Sequence, residues 1–118
     1  MNIAIIGHGK MGKAIEKLAI ERGHVITRIL SRNSELSFLG VDVAIDFSTP
    51  DSAFKNIQSA LKSKTPIVSG TTGWLDKFEE AKSLCQKHQT AFLYASNFSI
   101  GMNLFFELNK KLDQLMVN

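Results

Sequence analysis

Apolar residues alternate between two spacings along the chain. Ile3-Ala4-Ile5-Ile6, preceded by Asn2 and closed by Gly7, has the length and flanks of a short buried strand, Asn2–Ile6. From Met11 the period lengthens. Met11, Ala14, Ile15, Leu18 and Ala19 recur every three or four residues, which makes one helical face apolar, and Gly23 suits a left-handed stop. His24–Leu30, rich in Val25, Ile26, Thr27 and Ile29, predicts a second strand, and the polar Ser31–Ser37 stretch a connection. Val41–Phe47 predicts a third strand, interrupted by Asp42 and Asp46. A helix follows, with Thr49 as N-cap, Pro50 in the first turn and Asp51 at the positive dipole end; Ala53, Phe54, Ile57, Ala60 and Leu61 form its buried stripe. Pro66–Ser69 reads as a strand entering the turn Gly70–Gly73. Asp76 and Glu79 have capping-box spacing ahead of a helix faced by Phe78, Ala81, Leu84, Cys85 and His88. Ala91–Ala95 predicts a fifth strand, and residues 99 to about 117 a long helix carrying Ile100, Leu104, Phe105, Leu108, Leu112 and Leu115.

Short strands joined through helices specify an α/β fold with right-handed crossovers. The expected architecture is a Rossmann-like doubly wound parallel sheet, a single domain over residues 1–118, with its first strands covered on both faces. In such a sheet, ligands sit at the carboxyl ends of the strands.

Composition narrows the classes. With 118 residues, 44% hydrophobic and 21% charged, the chain fits one ordinary globular domain. No apolar run approaches bilayer length, and the early Gly7 leaves no room for a signal peptide, so a cytoplasmic location is expected. Cys85 is the only cysteine, excluding an internal disulfide or a multi-cysteine zinc site, and it falls on a buried helical stripe. The net charge of +3 comes from scattered lysines and arginines without interleaved aromatics, which argues against nucleic acid and leaves room for a small anionic ligand. Asp42 and Asp46 have no His or Cys at a ligating spacing, so no metal is expected. His24 and His88 read as structural, and His8 lies within the first glycine-rich turn.

That turn, Gly7-His8-Gly9-Lys10-Met11-Gly12, carries the strongest chemistry. It follows an apolar strand and opens an amphipathic helix, the setting that a dinucleotide fingerprint requires. Gly7 would permit the turn, Gly9 would let a pyrophosphate approach bare backbone, and Gly12 would let helix and strand pack closely. The unpaired N–H groups at the helix start would face the anion. About twenty residues on, where an acidic residue would hold the ribose hydroxyls of NAD, the chain has Ser31-Arg32-Asn33 and no carboxylate before Glu35. Arg32 could neutralise a 2′-phosphate and Ser31 make room for it, so NADP is slightly favoured over NAD. Three further turns fall at strand ends on the same rim: Asp46–Pro50, Gly70–Trp74 and Ala95–Asn103.

In this order, Gly7–Gly12, Asp46-Phe47-Ser48, Gly70-Thr71-Thr72-Gly73 and Asn97-Phe98-Ser99-Ile100-Gly101-Met102-Asn103 resemble the N-terminal domain of the dihydrodipicolinate reductase (4-hydroxy-tetrahydrodipicolinate reductase) family. The resemblance covers essentially the whole chain. It implies that Gly7, His8, Gly9, Lys10, Met11 and Gly12 hold the pyrophosphate and that Arg32 lies near the adenosine 2′-position. It further implies that Gly70, Thr71 and Thr72 touch the nicotinamide ribose, with Thr72 also near the substrate. Ala95, Ser96, Asn97 and Phe98 would bind the carboxamide. The implied reaction is NAD(P)H-dependent reduction of a cyclic intermediate to tetrahydrodipicolinate, in diaminopimelate and lysine synthesis.

The family's paired histidines, lysine and Asp-Ala-Pro-Ser-Gly-Thr stretch do not occur in this sequence, so no catalytic residue is assigned. The expectation is a cofactor-binding half whose C-terminal substrate domain is absent, probing as a weak binder with little turnover. Its small-molecule substrate would be held by the other half, and the intact enzyme is compatible with a homo-oligomer. The alternative is a stand-alone dinucleotide-binding module or subunit without catalysis.

Overall fold

In the computed structural model, residues 1–31 and 33–96 are described. The elements run β1 (Asn2–Ile6), α1 (Lys10–Glu21), β2 (Val25–Leu30), β3 (Val43–Asp46), α2 (Pro50–Lys62), β4 (Ile67–Ser69), a 3-10 turn (Leu75–Lys77), α3 (Phe78–Lys87) and β5 (Phe92–Tyr94). The five strands form one sheet in the order β2-β1-β3-β4-β5, every neighbouring pair parallel. The chain leaves β1 in one direction to build β2, then returns to the other side of β1 to build β3. The carboxyl ends of β1 and β3 therefore splay apart around a crevice.

Alternate residues of the same strands feed two cores, which is why the sequence of β1 and β3 reads as unbroken apolar blocks. Ile3, Ile5, Val43, Ile45 and Val68 pack under Ile15 and Ala19 of α1. Ala4, Ile6, Ala44 and Ile67 face the opposite way, against Ala53, Ile57 and Leu61 of α2 and Ala81 of α3. The sheet is thus wound on both faces, as expected.

Coverage fails at the sheet's edge. Val25 and Ile29 of β2 are 56% and 42% exposed, because an edge strand lies only partly beneath α1. The buried line of α1 is Gly12, Ile15 and Ala19, while Met11 and Ala14, expected on the inner face, are exposed. Four strands are shorter than their expected runs, β4 by Pro66. Val41 and Asp42 precede β3, where the Asp42 carboxylate accepts the Asn2 N–H (2.7 Å) and joins the approach to β1. Likewise His24 precedes β2, and Ala91 and Ala95 flank β5.

Of the two expected helix starts, that of α2 is found, with Thr49 at the N-cap and Pro50 and Asp51 in the first turn, and that of α3 is not. The Thr49 hydroxyl bonds the Ser52 hydroxyl (3.0 Å), and its carbonyl accepts the Ser52 and Ala53 N–H groups. Asp76 and Glu79 form no capping box. The 3-10 turn occupies that stretch, α3 starts at Phe78 without a side-chain cap, and Glu79 and Glu80 compensate its dipole instead. The long helix expected over residues 99–117 lies outside the described residues.

Candidate functional site

The turn between β1 and α1 is shaped by two glycines that the fold itself demands. Gly7 has φ +92°, and a Cβ there would strike the Phe47 carbonyl; a Cβ on Gly12 would strike the Gly7 carbonyl. Gly9 is different. With φ −83° it could carry a side chain, and an added Cβ would have none of the described residues within 4 Å. Packing within the protein does not explain the bare backbone at this point, whereas an approaching ligand does.

Gly9 also caps α1. The cap position makes no side-chain hydrogen bond and the first turn holds no acidic residue, whereas α2 has Asp51 there and α3 has Glu79 and Glu80. The positive end of α1 is therefore left for something else to satisfy, and the chemistry it suits is an anion. His8 is folded back onto the helix, its Nε2 lying 2.9 Å from Glu16 Oε1, and Lys10 and Met11 are exposed beside the opening.

Two clefts meet at Gly9. One, of ≈ 400 Å3, runs from Gly7, His8 and Gly9 past Ser31 and Ser34 to Lys55 on α2. The other, of ≈ 350 Å3, is lined by Gly9, Lys10, Met11, Gly70, Thr71 and Thr72. Phe47 and Ser48 border both. The first-turn residues, Ser31 and the Gly70–Thr72 segment are thus gathered around one crevice, from three different strand ends. Ser31 sits just past β2, where its N–H donates to Ser34 Oγ (2.9 Å). Ala95 and Ser96 follow β5 but line neither cleft; the Ala95 N–H donates to the Ser69 carbonyl (3.1 Å). Arg32, Asn97 and Phe98 lie outside the described residues.

Beneath the junction is a buried carboxylate. Asp46, the last residue of β3, is 0% exposed. Its Oδ1 accepts Ser48 Oγ (2.7 Å) and Asn56 Nδ2 (3.1 Å); its Oδ2 accepts Thr71 Oγ1 (2.8 Å) and Ser69 Oγ (2.9 Å). Burial pushes the carboxyl above its ordinary range, opposed by the hydrogen bonds from Ser48, Thr71, Asn56 and Ser69. The sequence places Asp46 and Ser48 in a turn on this rim and in a family motif, but gives neither a role of its own, and it does not single out Asn56 or Ser69 as site residues. Part of the signal was present: a carboxylate inside a strand must find donors, and hydroxyl residues cluster at the ends of β3 and β4. Lys55 was missed for another reason, since only the packing of α2 brings it to the cleft. Among the described residues, no group of His, Cys, Asp and Glu could hold a metal ion, and no helix is long and apolar enough to cross a membrane.

A doubly wound parallel sheet, with an uncapped helix start and a bare glycine at its switch point, defines a Rossmann-type domain of the dinucleotide-binding class. Solved structures bear out the fold: a dihydrodipicolinate reductase from Paenisporosarcina with dipicolinate bound superposes with TM-score 0.70 at 23% identity, over 85% of this chain and 48% of its own. A hyperthermophilic archaeal homoserine dehydrogenase in complex with NADPH gives 0.60 at 14% identity, over 79% of this chain and 43% of its own. The chain belongs to the dihydrodipicolinate reductase family: the family described as dihydrodipicolinate reductase, N-terminus, matches residues 30–98. A 4-hydroxy-tetrahydrodipicolinate reductase from Christiangramia forsetii is 51% identical over 98% of this chain and 50% of its own length. The chain spans about half the length of the curated relatives it matches.

Proposed function

We propose that this chain is the cofactor-binding half of an NAD(P)H-dependent 4-hydroxy-tetrahydrodipicolinate reductase, acting in cytoplasmic diaminopimelate and lysine synthesis. The observation that carries the reading is the open face of Gly9 over the uncapped start of α1. The relative of the same name, matching nearly the whole chain at 51% identity, supplies the substrate class.

In this reading Gly7–Gly12 cradle the pyrophosphate: backbone N–H groups of α1 meet its charge, and Lys10 adds a cation at the rim. The larger cleft takes the adenosine half, with Ser31 and Arg32 at the 2′-position. The end of β2 has no carboxylate before Glu35 to repel a phosphate there, which supports a slight preference for NADP. The second cleft takes the nicotinamide half, with Gly70 and Thr72 at the ribose and Thr72 also toward the substrate, while Thr71, expected beside them, has its polar groups engaged within the protein. The family resemblance assigns Ala95–Phe98 to the carboxamide, although Ala95 and Ser96 line neither cleft. Once bound, the reduced nicotinamide supplies the hydride; this chain's residues fix the ring's position and shield one side of it.

Calorimetric titration of the chain with NADPH and NADH at low salt tests this. Both coenzymes should bind, NADPH more tightly. Equal or tighter binding of NADH removes the 2′-phosphate assignment, and binding of neither removes the cofactor reading.

A further inference from the structure

Thr71 stands in the Gly70–Gly73 turn at the floor of the second cleft, where a hydroxyl could meet a ligand, yet its polar groups are engaged inside the protein. It is 6% exposed. Its hydroxyl donates to Asp46 Oδ2 (2.8 Å) and accepts the Ser48 N–H (2.9 Å); its carbonyl accepts Trp74 Nε1 (2.7 Å); its N–H donates to Ser69 Oγ (3.3 Å). The next residue, Thr72, is exposed.

We propose that Asp46 and Thr71 are positioning residues. The buried carboxylate, acting through the Thr71 and Ser48 hydroxyls, ties the Gly70–Gly73 turn to the turn after β3, so that the second cleft is offered the Thr72 side chain and the bare Gly70 backbone. The inference rests on the cofactor reading above. Two features carry it. First, three of the four groups on the carboxylate come from strand ends and turns bordering the crevice, and the fourth, Asn56, also holds Ser48 Oγ (3.1 Å). Secondly, burying a carboxylate is costly, and an apolar side chain would serve a purely structural site at least as well. What the carboxylate adds is a fixed angle between two loops. Gly70 completes the joint: its N–H donates to the Asp46 carbonyl (2.9 Å), and a Cβ there would run into the Phe47 ring.

The test separates the two halves of the coenzyme. The chain and its Thr71→Val, Thr71→Ser and Asp46→Asn variants are titrated with the preferred coenzyme and with its adenosine half alone (2′,5′-ADP for NADP, ADP for NAD). Thr71→Val and Asp46→Asn should lose about tenfold or more in affinity for the whole coenzyme and stay within about twofold for the half. Thr71→Ser, which keeps the hydroxyl, should restore it. Hydrogen exchange of amides 70–73 without nucleotide should quicken in Thr71→Val. Unchanged coenzyme affinity in Thr71→Val overturns the inference alone, as does a parallel loss for both ligands or a failure of Thr71→Ser to rescue. A wild-type chain that binds neither ligand overturns the cofactor reading, and the inference with it.

Discussion

Three glycines within six residues have three different physical duties, and alanine separates them. Gly12→Ala gains helix propensity but drives a methyl group into the Gly7 carbonyl, with backbone on both sides of the contact. It should destabilise the chain by about 1–3 kcal/mol in urea unfolding. Gly9→Ala meets open space and a permissive φ, so it should cost less than about 1 kcal/mol while weakening coenzyme binding by about tenfold or more. If Gly9→Ala binds coenzyme like the wild type, the pyrophosphate is not held there. Asp46 gives a second test at this scale. Its carboxyl is raised in the folded chain, so the native state holds the proton more tightly than the unfolded one and stability falls as pH climbs through the folded value. The advantage of wild type over Asp46→Asn should therefore be greatest below about pH 4, near the unfolded value, and shrink toward neutrality. A difference that grows with pH would mean that the hydrogen bonds outweigh burial.

Among the elements, the turn leading into α3 does more than connect. Trp74, 2% exposed, lies edge-on to Tyr94 at 5.7 Å and tilted against Phe92 at 5.8 Å, both on β5, while its indole N–H holds the Thr71 carbonyl. One residue thus packs into the core on the α2 and α3 side of the sheet and fixes the turn that borders the second cleft. Trp74→Ala should cost about 3–5 kcal/mol, and Trp74→Phe, which keeps an aromatic ring but loses the donor, about 1–2 kcal/mol, both read from urea unfolding followed by circular dichroism. Equal losses would show that packing alone holds the turn. The sequence reading had Trp74 as the last residue of a turn motif. Its burial follows from β5 lying beside β4, which periodicity does not reveal.

For the whole molecule, the order β2-β1-β3-β4-β5 makes a site from parts that are each unremarkable. A glycine turn, a serine past β2 and a threonine turn past β4 become one crevice because parallel strands deliver their carboxyl ends to the same side. The same order leaves β2 at an edge, which is why its apolar residues stay partly exposed despite a sequence suited to burial.

The alternation of strands and helices, the two-faced cores of β1 and β3 and the glycine turn were legible in the sequence, since each depends on near neighbours: side-chain periodicity, backbone φ and the unpaired groups of a helix start. That a carboxylate inside a strand needs donors was legible too; which residues reach Asp46 was not. Ser69 and Thr71 stand 23 and 25 residues away in the chain, and only the pairing of β3 with β4 sets them against one carboxylate. Helix starts fell between the two: the composition of their first turns was readable, but which atoms the hydroxyls and carboxylates chose depended on what packing placed within reach.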